Sequence, residues 1–183
     1  MANTAANVTA GKPNTAGAIY YGATTATLPT NVTGALTGFT GVGYISDAGV
    51  TNANSRSSES VRAWGGDTVL NTQTEKTDTF TFTMIETMND AVLKVVHGED
   101  NVTGTLADGL TVRVNATELD YHAWVIDMIL KGGALKRIVI PYAKITEVAE
   151  ITYTDNEASG YQVTLSAEPD ASGNSHYEYI KAA

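Results

Sequence analysis

The sequence predicts a mainly β protein: an antiparallel β-sandwich or barrel with one helix packed beside it. Three observations carry this. Thr77–Glu86 alternates, with Phe80, Phe82 and Met84 on one side and Thr79, Thr81 and Thr83 on the other; period two with one apolar face marks a half-buried antiparallel strand. His122–Lys131 is apolar on both faces, through Trp124, Val125, Ile126, Met128 and Ile129, which suits a central strand. Helical spacing appears only after Thr87, where Met88, Ala91, Val92, Val95 and Val96 share one face.

The elements follow in order. Met1–Ala16 is rich in Ala, Thr and Asn and reads as a flexible arm, because such a composition buries too little apolar surface to order itself. Residues 17–183 then form the folded domain. Gly17–Gly22 is a short strand. Gly38–Ile45, with glycines at 38, 41 and 43, is a turn running into another short strand. Asp47–Arg62 has Val50 and Val61 as its only larger apolar residues. It reads as a long polar loop, and long loops inside compact domains are usually functional. Thr68–Gln73 is a strand candidate.

Thr87 is the expected helix cap, with Asp90 three residues on; His97 sits near the negative helix end and Gly98 terminates it. Leu110, Val112 and Val114 alternate with polar residues. Gly132-Gly133 turns the chain into a strand over Ala134–Ile140. Ile145–Thr154 and Tyr161–Glu168 flank a polar turn and read as a hairpin. Pro169–Gly173 is a turn and His176–Ile180 a final strand. Several short antiparallel strands with one helix give the sandwich or barrel.

Composition narrows the function. The 183 residues suit one domain, or one domain with arms. There is no cysteine, which removes disulfides, thiol chemistry and Cys-based zinc sites. No apolar run approaches the ~20 residues of a membrane span. The start lacks the basic and apolar stretches of a signal peptide, so use in the cytoplasm, or packaging from it, is expected. The formal charge is −9, the wrong sign for gripping nucleic acid. It is the right sign for a passage that nucleic acid must slide through, since like charges repel.

No motif carries catalysis. His97, His122 and His176 are far apart, and no pair has metal-ligand spacing. The Gly38–Gly43 spacing does not match a phosphate cradle, and there is no nucleophile elbow. Acidic turns such as Asp155–Glu157 read as solvated, or as weak ion sites. The Asn-x-Thr sequons at Asn7, Asn31, Asn101 and Asn115 are coincidences of an Asn/Thr-rich chain without a secretion signal. No catalytic, cofactor or metal residue is assigned.

Ala63-Trp64-Gly65-Gly66-Asp67 is the most unusual short motif. Trp64 either anchors the end of the loop in the core or anchors the chain against a neighbouring subunit, as interface Trp residues do. Arg56 and Arg62 are loop cations on an acidic protein. They either reach acidic surfaces of a neighbour or stay solvated. With Glu59 they join Trp64 as candidates for inter-subunit contact.

From about Asp47 to the C-terminus, the chain resembles the major tail proteins of siphophages. The polar loop closing on Ala63–Asp67 carries the resemblance, with Thr79–Glu86 and the short helix after it. So do Lys136–Pro141 leading into Ile145–Val148, and the ending Tyr161–Asp170. The resemblance implies two packed antiparallel sheets with a flanking helix, and sixfold rings stacked into a non-contractile tube that conducts DNA during ejection. It implies that Ser46–Ala63 and the arm Met1–Ala16 reach into adjacent subunits. It further implies partnership with a tape measure protein, a tail terminator and a distal tail protein, and residence in the virion tail after assembly in the host cytoplasm. Contractile-tail and type VI secretion tube proteins share that architecture. A virion decoration or adhesion sandwich is the alternative; it would need neither the long polar segment nor the arm.

Overall fold

The computed structural model describes residues 3–183. Its strands are β1 (Gly11–Pro13), β2 (Ile19–Ala23), β3 (Phe39–Gly41), β4 (Ile45–Arg62) and β5 (Thr68–Met84), then helix α1 (Asp90–His97). There follow β6 (Val102–Thr105), β7 (Gly109–Val112), β8 (His122–Leu130), β9 (Leu135–Val148), β10 (Tyr161–Ala167) and β11 (Tyr177–Lys181). Nine strands form one antiparallel sheet in the order β3-β2-β8-β9-β10-β5-β4. In it β1 pairs with the end of β8 and β11 with the start of β9. β6 and β7 pair separately.

The sheet closes on itself without becoming a barrel. β5 and β8 stand three strands apart, about 14 Å in a flat sheet at ~4.8 Å per step. Yet the rings of Phe82 on β5 and Trp124 on β8 lie 5.9 Å apart. The sheet must therefore curl into two facing layers, and β3 and β4 remain as open ends. Phe80, Phe82, Met84, Trp124, Ile126 and Leu165 fill the interior. The α1 side chains Val92, Val95 and Val96 join the same cluster. Tyr21 ties β2 to the helix through its hydroxyl, which donates to the Ala91 carbonyl at 3.3 Å.

The central strand is the one expected. β8 lies between β2 and β9, and its second face is also covered: Ala123, Val125 and Val139 are buried. On that face Asp127 and Arg137 stand directly opposite each other and pair through two bonds of 2.6 and 2.7 Å. Arg137 also donates to the carbonyls of Asn31 and Gly34, at 3.1 and 2.7 Å. The loop between β2 and β3 is thereby pinned to the sheet.

Several local expectations change. Ala134–Ile140 and Ile145–Thr154 are one element up to Val148, because β9 runs through Pro141. The proline falls where the β8–β9 register shifts, a place where its missing N–H costs no ladder bond. The helix cap is Asn89 rather than Thr87: the Asn89 Oδ1 accepts the Ala91 N–H at 3.0 Å, and Gly98 ends the helix at φ 95°. The arm is partly structured. Ala5–Asn7 forms a 3-10 turn, and Gly11–Pro13 pairs with Met128–Leu130 beyond the reach of β2; Met1 and Ala2 lie outside the described residues.

The largest correction concerns Ser46–Ala63. It is not a loop but most of β4, an 18-residue strand paired with the 17-residue β5. From Thr51 on, neither face of β4 is covered by its own chain, so this part has no apolar alternation to reveal it, whereas Ile45 and Val50 still pack against the core. The period-two signal reports burial, and pairing without burial leaves no such trace.

Candidate assembly surfaces

The β4–β5 hairpin dominates the surface. Its ladder runs from Ile45 opposite Met84 to Arg62 opposite Thr68, with irregularities after Ile45, Ser57 and Val61. The turn is closed by the Ala63 N–H donating to Asp67 O (2.8 Å) and the Gly66 N–H donating to Ala63 O (3.0 Å). Gly65 and Gly66 adopt φ of 118° and 102°, a region that side chains other than glycine's enter only with strain. Every residue from Thr51 to Thr77 is exposed. At ~3.3 Å per residue, the twelve positions from Thr51 to Arg62 extend roughly 40 Å. A two-stranded hairpin with no layer against it is marginally stable in water.

All four candidate residues lie on this hairpin. Arg56 is opposite Lys76 and donates to the Gln73 side chain at 3.4 Å. Glu59 is opposite Thr72. Arg62 donates to Gly66 O at 3.0 Å and braces the turn. Trp64 is at the apex, with an exposure of 106%. That overturns its reading as a core anchor; the core indole is Trp124, at 0%. The structure adds residues that the sequence reading did not connect. Val61 is opposite Leu70, and with Val69 both are exposed beside Trp64. The available signal was the Gly65-Gly66 turn between two polar runs, a hairpin mark.

A polar cluster clamps the hairpin where it leaves the body. Asp78 is the last buried residue before the exposed stretch, at 2%. Its carboxylate accepts from the Asn52 amide at 2.8 Å and meets His176 Nδ1 at 2.5 Å. The His176 ring stands edge-on to Phe80 at 5.3 Å, and Lys76 donates to Ser175 Oγ at 3.2 Å. Ser175 and His176, just before β11, thus hold the base of the hairpin. His176, read from sequence as a turn-exit residue, is a structural member of this clamp.

Charge divides along the same line. Between Thr51 and Thr77, Arg56, Arg62 and Lys76 balance Glu59, Asp67 and Glu75, so the whole formal −9 belongs to the rest of the chain. A groove of about 440 Å³ opens on the body between Leu28, the Pro141 bulge and the turn after β10. Among the described residues, no three His, Asp or Glu side chains are grouped to hold a metal, and no helix is long and apolar enough to cross a membrane. Burial lowers the pKa of both His97 and His122 and pushes Tyr21 up to about 12. Tyr21 and His122 meet edge-on at 5.2 Å, and His97 stands apart from them against Tyr161.

No curated protein matches the sequence. A cryo-EM structure of the anti-feeding prophage cap, the tube-terminating cap, is similar over 100% of both chains, with a TM-score of 0.46 and 11% identity. The sequence matches the family described as phage tail tube protein over residues 1–183. The chain belongs to that family and is a structural, non-enzymatic component of a bacteriophage tail.

Proposed function

We propose that this chain is the repeating subunit of a non-contractile tail tube, and that its copies close into sixfold rings that stack around a channel for DNA. The observation that carries this is the bare hairpin from Thr51 to Thr77, which has no stabilising layer of its own. Contact with neighbouring subunits supplies that layer. The open ends of the sheet, β3 and β4, offer unpaired backbone edges for the same purpose. A head-to-tail contact of this kind makes a ring when its rotation closes.

The charge suits the channel. Six copies at −9 each carry about −54 per ring, and an acidic lumen repels phosphates and keeps DNA from sticking. A tape measure protein inside the tube, with a terminator and a distal tail protein at its ends, completes the assembly. Arg56, Glu59, Arg62 and Trp64 act as contact residues between subunits.

Negative-stain electron microscopy of concentrated protein, with light scattering on the same sample, tests the reading. Hollow tubes or sixfold rings are expected. A chain that stays monomeric even with tail-tip components present overturns it.

A further inference from the structure

Resting on that reading, the structure also offers a place for the hairpin tip to dock. The body groove is lined by Leu28, Pro141, Tyr142, Pro169 and Ala171, with Asp170 among them. It is open to solvent, and its lining is more apolar than polar. The walls are stiff. Tyr142 is stacked on Tyr121 at 4.1 Å between ring centres, and two of the lining residues are prolines.

Asp170 is equally fixed. Its Oδ1 accepts the N–H groups of Ser172 and Asn174 at 2.8 and 3.1 Å, and its Oδ2 accepts the Tyr177 hydroxyl at 2.7 Å. These bonds, the Tyr177 hydroxyl first, hold its carboxyl below the usual range. Among the described residues no cationic side chain pairs with it. The groove is therefore an apolar slot with a persistent negative charge beside it.

The hairpin tip has the complementary features. Trp64 presents a bare indole, and Arg62 next to it has a guanidinium bonded to a backbone carbonyl but to no carboxylate among the described residues. Trp64 is fully exposed, so the groove of its own chain does not hold it. The neutral hairpin also approaches an acidic body without the repulsion that two bodies at −9 would meet.

We propose that the groove is the acceptor for Trp64 of a second copy of this chain, with Arg62 of that copy set against Asp170. The contact is heterologous: each subunit carries one knob and one slot, on different parts of its surface. It propagates from copy to copy, as a stacked tube requires.

The absence of cysteine makes the test clean. A chain carrying Ala63→Cys and Ala171→Cys, with Trp64 kept, is concentrated and treated with a short bis-maleimide. A control chain pairs Ala63→Cys with Ala107→Cys, in the β6–β7 turn. A second variant, Ala171→Phe, fills the slot. The proposal expects a ladder of linked subunits from the 63–171 pair alone, and loss of polymer with Ala171→Phe. Wild-type tubes with no 63–171 ladder, or Ala171→Phe tubes equal to wild type, would overturn the groove while leaving the tube reading intact. A wild-type chain that never polymerises would overturn both.

Discussion

Two antiparallel ladders in this chain are built by the same backbone bonds and have opposite fates. The β8–β9 pair is covered on both faces, by the core on one side and by a pinned loop on the other. The outer β4–β5 ladder is longer and covered on neither. The first pair is apolar and defines the fold. The second is made of Ser, Thr and Asn with an apolar tip, and it carries no net charge. Backbone pairing is thus common to both, and burial alone separates a structural element from an unfinished one. Each strand group should respond to mutation accordingly.

The two tryptophans give the sharpest contrast. Trp124→Ala empties the centre of the core and should cost about 3–5 kcal/mol. At roughly 2–4 °C per kcal/mol this lowers the melting temperature by ~6–20 °C. Trp64→Ala should change the stability of the monomer by less than about 0.5 kcal/mol and should instead weaken assembly. Circular dichroism melts of both variants, with light scattering on the second, decide it. A monomer destabilised as much by Trp64→Ala as by Trp124→Ala would erase the distinction.

The charged residues repeat the contrast. Asp127→Ala leaves Arg137 buried without its partner and should cost about 3–5 kcal/mol in urea unfolding. Arg56→Ala, on the bare hairpin, should cost less than about 0.5 kcal/mol.

The clamp lies between the two regimes. His176→Ala leaves Asp78 buried with one partner fewer, for about 1–3 kcal/mol. Hydrogen exchange should then quicken at Asn52–Asn54, where the hairpin leaves the body, before it quickens in β8. Equal acceleration in β8 would mean that the clamp stabilises the body rather than the base of the hairpin.

The smallest effect is a pH dependence confined to the body. His97 and His122 have folded-state pKa values below the unfolded ~6.5. The unfolded chain therefore binds protons first as the pH falls. Their contribution is present in full above about pH 6.5 and is lost as the pH falls toward the folded values. A His97→Gln, His122→Gln double variant should show a flatter melting curve against pH in that window. The hairpin contains no histidine.

What the sequence disclosed follows the same division. Burial writes itself into residue pattern, so Thr77–Met84, β8 and the helix face were legible. Gly98 was legible as a stop because a positive φ favours glycine. Asn89 was missed as the cap because Thr87 and Asn89 are both competent caps, and the choice between them is made by where the chain enters the helix. Pro141 split β9 in the reading because a proline usually ends a strand; a register shift in the partner strand absorbs it. The hairpin was read as a loop because pairing without burial leaves only turn chemistry, here Gly65-Gly66, as its signature. The four candidate residues fall on one hairpin in the structure, and Val61, Val69 and Leu70 join Trp64 only once the register is known. Asp78 and His176, 98 positions apart in the chain, carried no local signal at all.

Replacing Ser55–Thr77 by Asn-Gly is the most direct test of the central claim. Asn54 and Asp78 are directly paired, so a two-residue hairpin turn closes the cut without straining the body. Melting and electron microscopy are then run side by side with the wild type. The trimmed monomer should melt within a few degrees of the wild-type monomer and form no tubes under conditions in which the wild type does. Tubes of normal width from the trimmed chain would show that the hairpin is not what joins the subunits.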